Sequence, residues 1–340
     1  MEDFEGRNRE LMYSAYVTAI DDLKKDITKS LDFIRWKNQV KKDSVVFVKP
    51  NFTYPFYKEG VTTSPELMIN FLEILKDRSD TIIVGESDGG KHSFSADDSF
   101  KGHRMYDICR ETGVELVNLS TLPSKFVEDE IQGRRVKVQL PKLLLEKIDC
   151  FISVPVLKVH VMTTVTLSMK NLWGCYPDTM RCLHHEHLSY KLALMTKLLN
   201  PKVILIDGTY SLTGHGPMYG EAKKTNLIIS SNNPVVSDSL GATVMGVPLK
   251  KIEHILVAEK EGLGTTNLTA ININDDWNKF KMEFYLKKTL LDRLSVLPFK
   301  SGILAKIITD SPCTPIIDQI ARFLRTNEEQ DVVNDLRRYS

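Results

Sequence analysis

The sequence predicts an α/β fold in which helices cover both faces of a mostly parallel sheet, followed by a helical C-terminal extension. Short apolar runs typical of buried strands alternate with longer segments whose apolar residues follow helical spacing. Such alternation of strands and helices is typical of parallel sheets, which are buried on both faces. Beyond about residue 275 the pattern changes to amphipathic segments broken by prolines. We therefore predict a helical lead-in (1–43), an α/β core (44–274) and a helical extension (275–340).

The first half of the core begins with an apolar strand, SVVFVKPN at 44–51, that stops near Pro50. A helix is predicted over 64–77, because Ser64 is a suitable N-cap and Pro65 fits the first helical position. A strand, a helix and another strand are then predicted at 80–90, 105–113 and 114–119.

The second half of the core follows a charged amphipathic stretch at 125–148. One continuous strand is predicted through IDCFISVPVLKVH, which ends at His160. The segment Thr163–Gly174 is predicted to turn into a helix. Two further strands and a helix are predicted at 201–210, 225–233 and 234–246.

Composition excludes several classes of function. The 340 residues carry a net charge of +1, which predicts binding neither to nucleic acid nor to acidic lipid. No apolar stretch approaches the roughly 20 residues of a membrane span, and the polar N-terminus lacks the features of a secretory signal. The five cysteines are scattered and form no C-x-x-C pair, so no zinc knuckle or iron–sulfur cluster is expected. These features predict a cytoplasmic protein.

Polar side chains follow several predicted strands. Ligands of open parallel sheets bind beyond the carboxyl ends of the strands, so these side chains are expected to share one crevice. Lys158 and His160 are two apart in a strand and therefore point to the same side. A phosphate, a carboxylate or an enolate between them would relieve their mutual repulsion. If the strand has already ended, both side chains simply reach solvent.

The helix predicted after Thr163 would add an anion-binding N-terminus beside these cations. Lys170 lies on the same predicted helix face as Thr163 and Thr166. If it is buried, its pKa would fall and it could act as a base or nucleophile. We predict Lys158, His160 and Lys170 as catalytic residues. The predicted substrate-binding residues are Lys49, Asn51, Thr163, Thr166, Asn171, Arg181, Gly214, His215 and Gly216.

The loop TGHGPMYG (213–220) contributes the last three of these, because its glycines allow backbone to approach a ligand. A tight turn without a ligand would explain the same glycines. A divalent metal is an alternative use of the crevice, since acidic residues follow two strands and a histidine run lies at RCLHHEHL. The predicted metal ligands are Glu86, Asp88, His184 and Asp207.

Six ordered blocks of the sequence resemble the DUF362 family, a domain of unknown function. The blocks are VFVKPNF, TSPEL, VGES, VPVLKVHVMTTVTLSMKNLWG, LIDGTYSLTGHGPMYG and NNPVVSDSLGATVMG, and the likeness covers roughly 44–265. The matching motif positions are Lys49, Lys158, His160, Lys170, Asn171, Gly174, Asp207, Gly214, Gly216, Pro217, Gly220 and Asp238. Many members carry a ferredoxin-like segment with closely spaced cysteines. This chain has only Cys313 in its C-terminal part, so the resemblance implies no cluster here.

The leading hypothesis is therefore an enzyme that binds a small anionic substrate through lysine and histidine and transfers a proton. A metal- or cofactor-dependent redox protein or isomerase is the first alternative, since the residue types are loosely similar to those of lactate racemase-type proteins. The second is a non-catalytic ligand sensor or assembly factor. In that case the C-terminal helices would bind a protein partner or mediate self-association.

Overall fold

The computed structural model describes residues 13–288, 297–309, 311, 314 and 326–339. Within these residues a mixed sheet has ten strands, and its main path runs in the order β12-β1-β11-β10-β7-β2-β3-β4. The strands of this path are β1 (Ser14–Ala19), β2 (Val45–Pro50), β3 (Thr81–Glu86), β4 (Glu115–Asn118), β7 (Cys150–Val154), β10 (Val203–Thr213), β11 (Glu221–Ser231) and β12 (Asn272–Ile273). Two short strands, β8 (Val156–His160) and β9 (Thr164–Thr166), lie off the path, where β8 pairs with both β10 and β9.

The centre of the sheet is parallel. Strands β10, β7, β2, β3 and β4 pair in parallel with their neighbours in that order, whereas β11 is antiparallel to both β10 and β1. The predicted α/β class, with a largely parallel sheet, is confirmed. An antiparallel pair, β5 (Ser124–Ile131) and β6 (Arg134–Pro141), forms a second small sheet in the stretch that the sequence predicted only as amphipathic.

Helices cover both faces of the sheet. Their bounds are α1 (Leu23–Phe33), α2 (Pro65–Lys76), α3 (Ala96–Gly102), α4 (Met105–Thr112), α5 (Lys142–Glu146), α6 (Ser168–Asn171), α7 (Leu188–Leu199), α8 (Pro234–Val244), α9 (Glu253–Lys260), α10 (Gly302–Thr309) and α11 (Asn327–Leu336). Alternating strand residues feed two separate cores, so Phe47 packs with the core under α7 to α9 while Val46 and Val48 pack with the core under α1, α2 and α4. None of the described helices has the length and apolar character needed to cross a membrane.

The sequence-based boundaries need three corrections. The N-terminal region is not only helical, because β1 pairs with β11 inside the main sheet before α1 begins. The predicted continuous strand ending at His160 is interrupted at Pro155, between β7 and β8. Proline has no N–H for a sheet hydrogen bond. Its carbonyl instead accepts from the backbone N–H of Asp207 at 2.8 Å.

The third correction concerns the helix predicted from Thr163. Thr164–Thr166 is the strand β9, paired antiparallel with β8, and α6 begins only at Ser168. In the C-terminal extension, α10 and α11 are helical, whereas 275–288 contains only a 3-10 turn at Trp277–Phe280 and extended segments. The rest of the predicted helical stretches, at 289–296 and 315–324, lies outside the described residues.

Candidate functional site

A cavity of about 180 Å³ opens beyond the carboxyl ends of β2, β3 and β8. It combines basic, amide and aromatic side chains from six segments of the chain. Its polar and charged lining residues are Lys49, Asn51, Thr53, Glu86, Ser87, Lys158, His160, Thr166, Lys170, Asn171, Arg181 and His185. The convergence of strand ends on one crevice, expected from the sequence, is present here. All three predicted catalytic residues lie in its wall.

An ion pair is buried at the floor of the cavity. Lys49 Nζ lies 2.6 Å from Glu86 Oε2, and both side chains are almost fully excluded from solvent. The backbone N–H groups of Phe52 and Ser87 also donate to this carboxylate. A Cβ at Gly174 would lie 2.7 Å from Glu86 Oε1 and 2.8 Å from Lys49 Nζ, so the site requires glycine there. The charges of Lys49 and Glu86 thus neutralise each other.

Amide side chains hold the second lysine. Lys158 Nζ donates to Asn51 Oδ1 at 2.8 Å and to the carbonyl of Val61. Asn51 Nδ2 donates in turn to Asn171 Oδ1, and Asn171 Nδ2 donates to the carbonyl of Lys49. The acceptors in these hydrogen bonds are uncharged amide and carbonyl oxygens. Lys158 therefore has hydrogen bonds but no carboxylate that compensates its charge among the described residues.

Lys158 and His160 share one side of β8, as their spacing predicts, and both line the cavity. Burial, reinforced by the neighbouring Lys170, lowers the pKa of Lys158 well below its usual value. The same two causes lower the pKa of His160. His160 Nδ1 accepts from the backbone N–H of Met162 at 3.0 Å. The neutral imidazole therefore carries its proton on Nε2.

Lys170 lies on α6, whose start is held by a distant carboxylate. The backbone N–H groups of Ser168 and Met169 donate to Asp238 at 2.8 and 2.9 Å, so the helix N-terminus is already capped and is not the predicted anion site. The side chain of Lys170 makes no hydrogen bond or ion pair within the described parts of the chain. Burial and the neighbouring Arg181 lower its pKa to about 7.

Arg181 brings the fourth cation of the cavity. Its guanidinium donates only to backbone carbonyls, those of Asp88 at 2.6 Å, Asp178 at 3.3 Å and Tyr176 at 3.5 Å. No carboxylate within the described residues forms an ion pair with it. Burial lowers its pKa, with the nearby acids Glu86 and Asp88 acting in the opposite direction.

Three further cavity residues carry polar atoms that are buried and have no hydrogen-bond partner among the described residues. These atoms are Thr166 Oγ1, Trp173 Nε1 and His185 Nδ1. Buried polar groups are normally satisfied, so these three atoms leave hydrogen-bonding capacity at the cavity wall. Trp173 and His185 were not predicted. Nothing in the sequence marks Trp173 as a site residue, because a tryptophan most often packs in a core. In the histidine run, the sequence predicts His184, the neighbour of His185, as a ligand.

Several predicted substrate-binding residues lie away from this cavity. Gly214, His215 and Gly216 do not line it, although Pro217 and Met218 of the same loop do. Gly216 is needed for a close approach, because a Cβ there would lie 2.1 Å from the carbonyl of Val159. Thr163 lines a neighbouring cavity of about 410 Å³. The glycines therefore do not line the cavity themselves, but allow the loop to place Pro217 and Met218 in its wall.

The four predicted metal ligands are not brought together. Asp207 accepts from Ser64 N at 2.7 Å and from Thr209, which fixes the start of α2. Asp88 accepts from Ala96 N and the Asn118 amide. His184 lies 3.1 Å from Asp178, and Glu86 is paired with Lys49.

Within the described residues, no group of three histidine, cysteine, aspartate or glutamate side chains could hold a metal ion. Cys313 lies outside those residues. The predicted metal site is therefore not assembled by this set of side chains.

Two known proteins are similar to parts of this chain. The chain is 27% identical over 125 residues to the thylakoid-associated protein sll1697 of Synechocystis sp., a match that covers 35% of this chain and 39% of that protein. A solved structure from Thermotoga maritima is similar at 11% identity with a TM-score of 0.31, covering 54% of this chain and 49% of that one. The chain thus spans less than half the length of each of these proteins.

The family model for the domain of unknown function DUF362 matches residues 46–243, which is more than half of the chain and includes every charged residue of the cavity. The chain belongs to the DUF362 family.

Proposed function

We propose that this protein is an enzyme that binds a small anionic substrate, bearing a carboxylate or phosphate, in the cavity beyond the carboxyl ends of the strands. Lys158 and Arg181 hold the anion, and Lys170 and His160 transfer a proton. One observation carries the proposal. Three cationic side chains of the cavity (Lys158, Lys170 and Arg181) have no carboxylate partner among the described residues.

The charge balance of the cavity supports an anion over a neutral or cationic guest. Glu86 is the only acidic side chain in the described lining, and Lys49 already neutralises it. Cations gathered in a low-dielectric site repel each other, which is why burial and mutual charge lower their pKa values. An arriving anion would reverse this effect, since charge-assisted hydrogen bonds favour the protonated amines.

Proton transfer is supported by the protonation states of two neighbouring groups. A lysine with a pKa of about 7 is both a competent base and a competent acid at neutral pH. The imidazole of His160 is neutral and carries Nε2–H, so it can donate a hydrogen bond to oxygen that gains charge during a reaction. A simple storage site would gain nothing from these perturbed groups.

The test is calorimetric titration of the full chain with phosphate and with malonate at pH 6, 7 and 8 and constant ionic strength. We expect the affinity for malonate to rise as the pH falls through 7, because the bound anion favours protonated Lys170; phosphate loses negative charge over the same range, so its affinity should rise less. Arg181→Met and Lys170→Met should each weaken binding by at least about tenfold, the usual cost of a charged hydrogen bond. Lys250→Met changes an exposed lysine outside the cavity and serves as the matched control. Equal affinities for all variants would contradict the proposal.

A cytoplasmic location, a metal- or cofactor-dependent redox or isomerase reaction, and a protein partner of the C-terminal helices stay proposals. The packing of α11 against the loops near the cavity argues for a role in supporting the site, since Tyr54 Oη donates to Asp335 at 2.8 Å and Tyr219 Oη donates to Glu329 at 2.7 Å.

A further inference from the structure

The side chain of Lys170 is set apart from the other lysines of the cavity. Lys49 is held by Glu86 and the carbonyl of Pro50, and Lys158 is held by Asn51 and the carbonyl of Val61. Lys170 has no such partner within the described residues, yet it lines the same cavity. Among the described residues, Lys170 is thus the lysine of the cavity whose amine is not held in place by hydrogen-bond acceptors.

The cavity also has an apolar wall, which an inorganic anion would leave unused. Five lining residues supply it: Phe52, Phe94, Trp173, Pro217 and Met218. A guest that satisfies both walls carries a carbon skeleton as well as a negative charge. The volume of about 180 Å³ limits that guest to a small molecule.

We propose that Lys170 is a covalent nucleophile that forms an imine with the carbonyl carbon of a small oxo acid, whose carboxylate is held by Arg181 and Lys158. This inference rests on the proposed anion site and adds the class of substrate and the kind of chemistry. The arrangement follows a general principle, in which an amine placed in a desolvated pocket beside other cations loses its proton and becomes nucleophilic at neutral pH.

The step balances without any oxidant or reductant. The lone pair of Lys170 Nζ forms a bond to the carbonyl carbon, and the C=O π electrons move to oxygen. The two protons of the neutral amine pass to that oxygen, which leaves as water when the C=N bond forms. His160 Nε2–H donates a hydrogen bond to the oxygen while it carries negative charge.

Protonation supports the choice of nucleophile. The pKa of Lys170 is lowered to about 7, so a large fraction of the amine is neutral at physiological pH. An ordinary lysine with a pKa of about 10.4 is almost entirely protonated under the same conditions. The pKa of Lys158 is also lowered, but its amine is held by Asn51 and the carbonyl of Val61, so reaction is expected at Lys170.

The experiment treats the full chain at pH 7 with pyruvate and sodium cyanoborohydride, which reduces an imine to a stable secondary amine. Peptide mapping by mass spectrometry then locates the adduct. We expect labelling of Lys170 at least about tenfold faster than of Lys250, and no adduct at position 170 in Lys170→Arg. Arg181→Met should slow labelling by pyruvate more than labelling by acetone, because acetone has no carboxylate for Arg181 to hold and loses only the effect of Arg181 on the pKa of Lys170. Circular dichroism confirms that each variant is folded.

The outcomes separate this inference from the anion site on which it rests. If malonate binds as described above but Lys170 is labelled no faster than Lys250, imine formation is wrong and the anion site stands. If Lys170 is labelled selectively, but Arg181→Met slows labelling by pyruvate and by acetone to the same extent, the nucleophile is correct and the carboxylate site is wrong. Absence of both binding and selective labelling refutes the two proposals together.

Discussion

Lys170 carries its amine where burial and Arg181 oppose protonation, so its pKa in the folded chain is about 7. In the unfolded chain the pKa of lysine is about 10.4. Between these values the unfolded chain binds more protons, so this group makes the protein more stable as the pH rises from 7 to about 10. Below pH 7 Lys170 is protonated in both states, so the folded chain bears the full free-energy cost of burying its charge.

The first prediction at this scale is that Lys170→Met stabilises the protein at pH 6 and loses this advantage by pH 10. Each unit of pKa depression corresponds to about 1.4 kcal/mol, which partial solvent contact reduces, so we expect a gain of about 1–3 kcal/mol at pH 6. Urea unfolding of the wild type and the variant at the two pH values measures the difference. Lys250→Met, at an exposed position, should show no comparable pH dependence. A gain that is the same at pH 6 and pH 10 would mean that the ammonium of Lys170 is not penalised.

At the residue scale the sequence predicts which side chains come together better than it predicts what each of them does. Lys158, His160 and Lys170 could be placed together because strand alternation and strand ends follow simple geometry. The sequence predicts Asp207 as a metal ligand. In the structure it instead accepts a hydrogen bond from the N–H of Ser64 and so anchors the start of α2, although the two residues are 143 positions apart in the chain. A carboxylate has the same identity in either role, and only its distant partners distinguish the two.

At the scale of elements, the sequence predicts a boundary correctly where residues at that boundary determine it. Ser64 and Pro65 define the start of α2, and Ser64 Oγ accepts from Leu67 N as the capping rule predicts. The start of α6 could not be predicted in this way. Its capping group is Asp238, 70 positions further along the chain. A helix that depends on such a cap has no local signature, so the sequence predicts a beginning at Thr163, although Thr164–Thr166 form β9.

The same scale explains how the C-terminal extension supports the cavity. Helix α11 buries Val332 against Tyr54, Val61 and Leu212, and the carbonyl of Val61 is an acceptor for Lys158. The loop that orients Lys158 is therefore held partly by a helix from the other end of the chain.

We predict that Val332→Asp detaches α11 and loosens the loop at 54–61. The buried aspartate would have no cationic partner in this apolar cluster, at a cost of about 3 kcal/mol or more to the docked helix. Hydrogen exchange should become faster in 54–61, and malonate affinity should fall because Lys158 is less well oriented. Asn334→Asp adds the same charge at an exposed position of the helix and is the matched control. Unchanged exchange in 54–61 would show that the loop is stable without α11.

For the whole molecule, the central strands connect two cores that lie on opposite faces of one sheet. Trp36 belongs to the core under α1, α2 and α4, whereas Trp173 belongs to the core under α7 to α9. Each of β2 and β10 contributes alternate residues to both, as Val46 and Phe47 do in β2 and Leu205 and Ile206 do in β10. Neither core can be lost without removing one face of the shared strands.

This sharing predicts one cooperative unfolding transition for both faces, despite a chain length at which intermediates are common. Phe71→Ala in the first core and Leu192→Ala in the second remove fully buried side chains, and each should lower the free energy of unfolding by about 2–5 kcal/mol. Fluorescence of variants that retain only Trp36 or only Trp173 reports the two cores separately. Both probes should give the same urea midpoint, and each alanine substitution should shift the two midpoints equally. If Phe71→Ala moved the Trp36 midpoint alone, the faces would unfold independently, and the cavity between the strand ends would depend on only one of them.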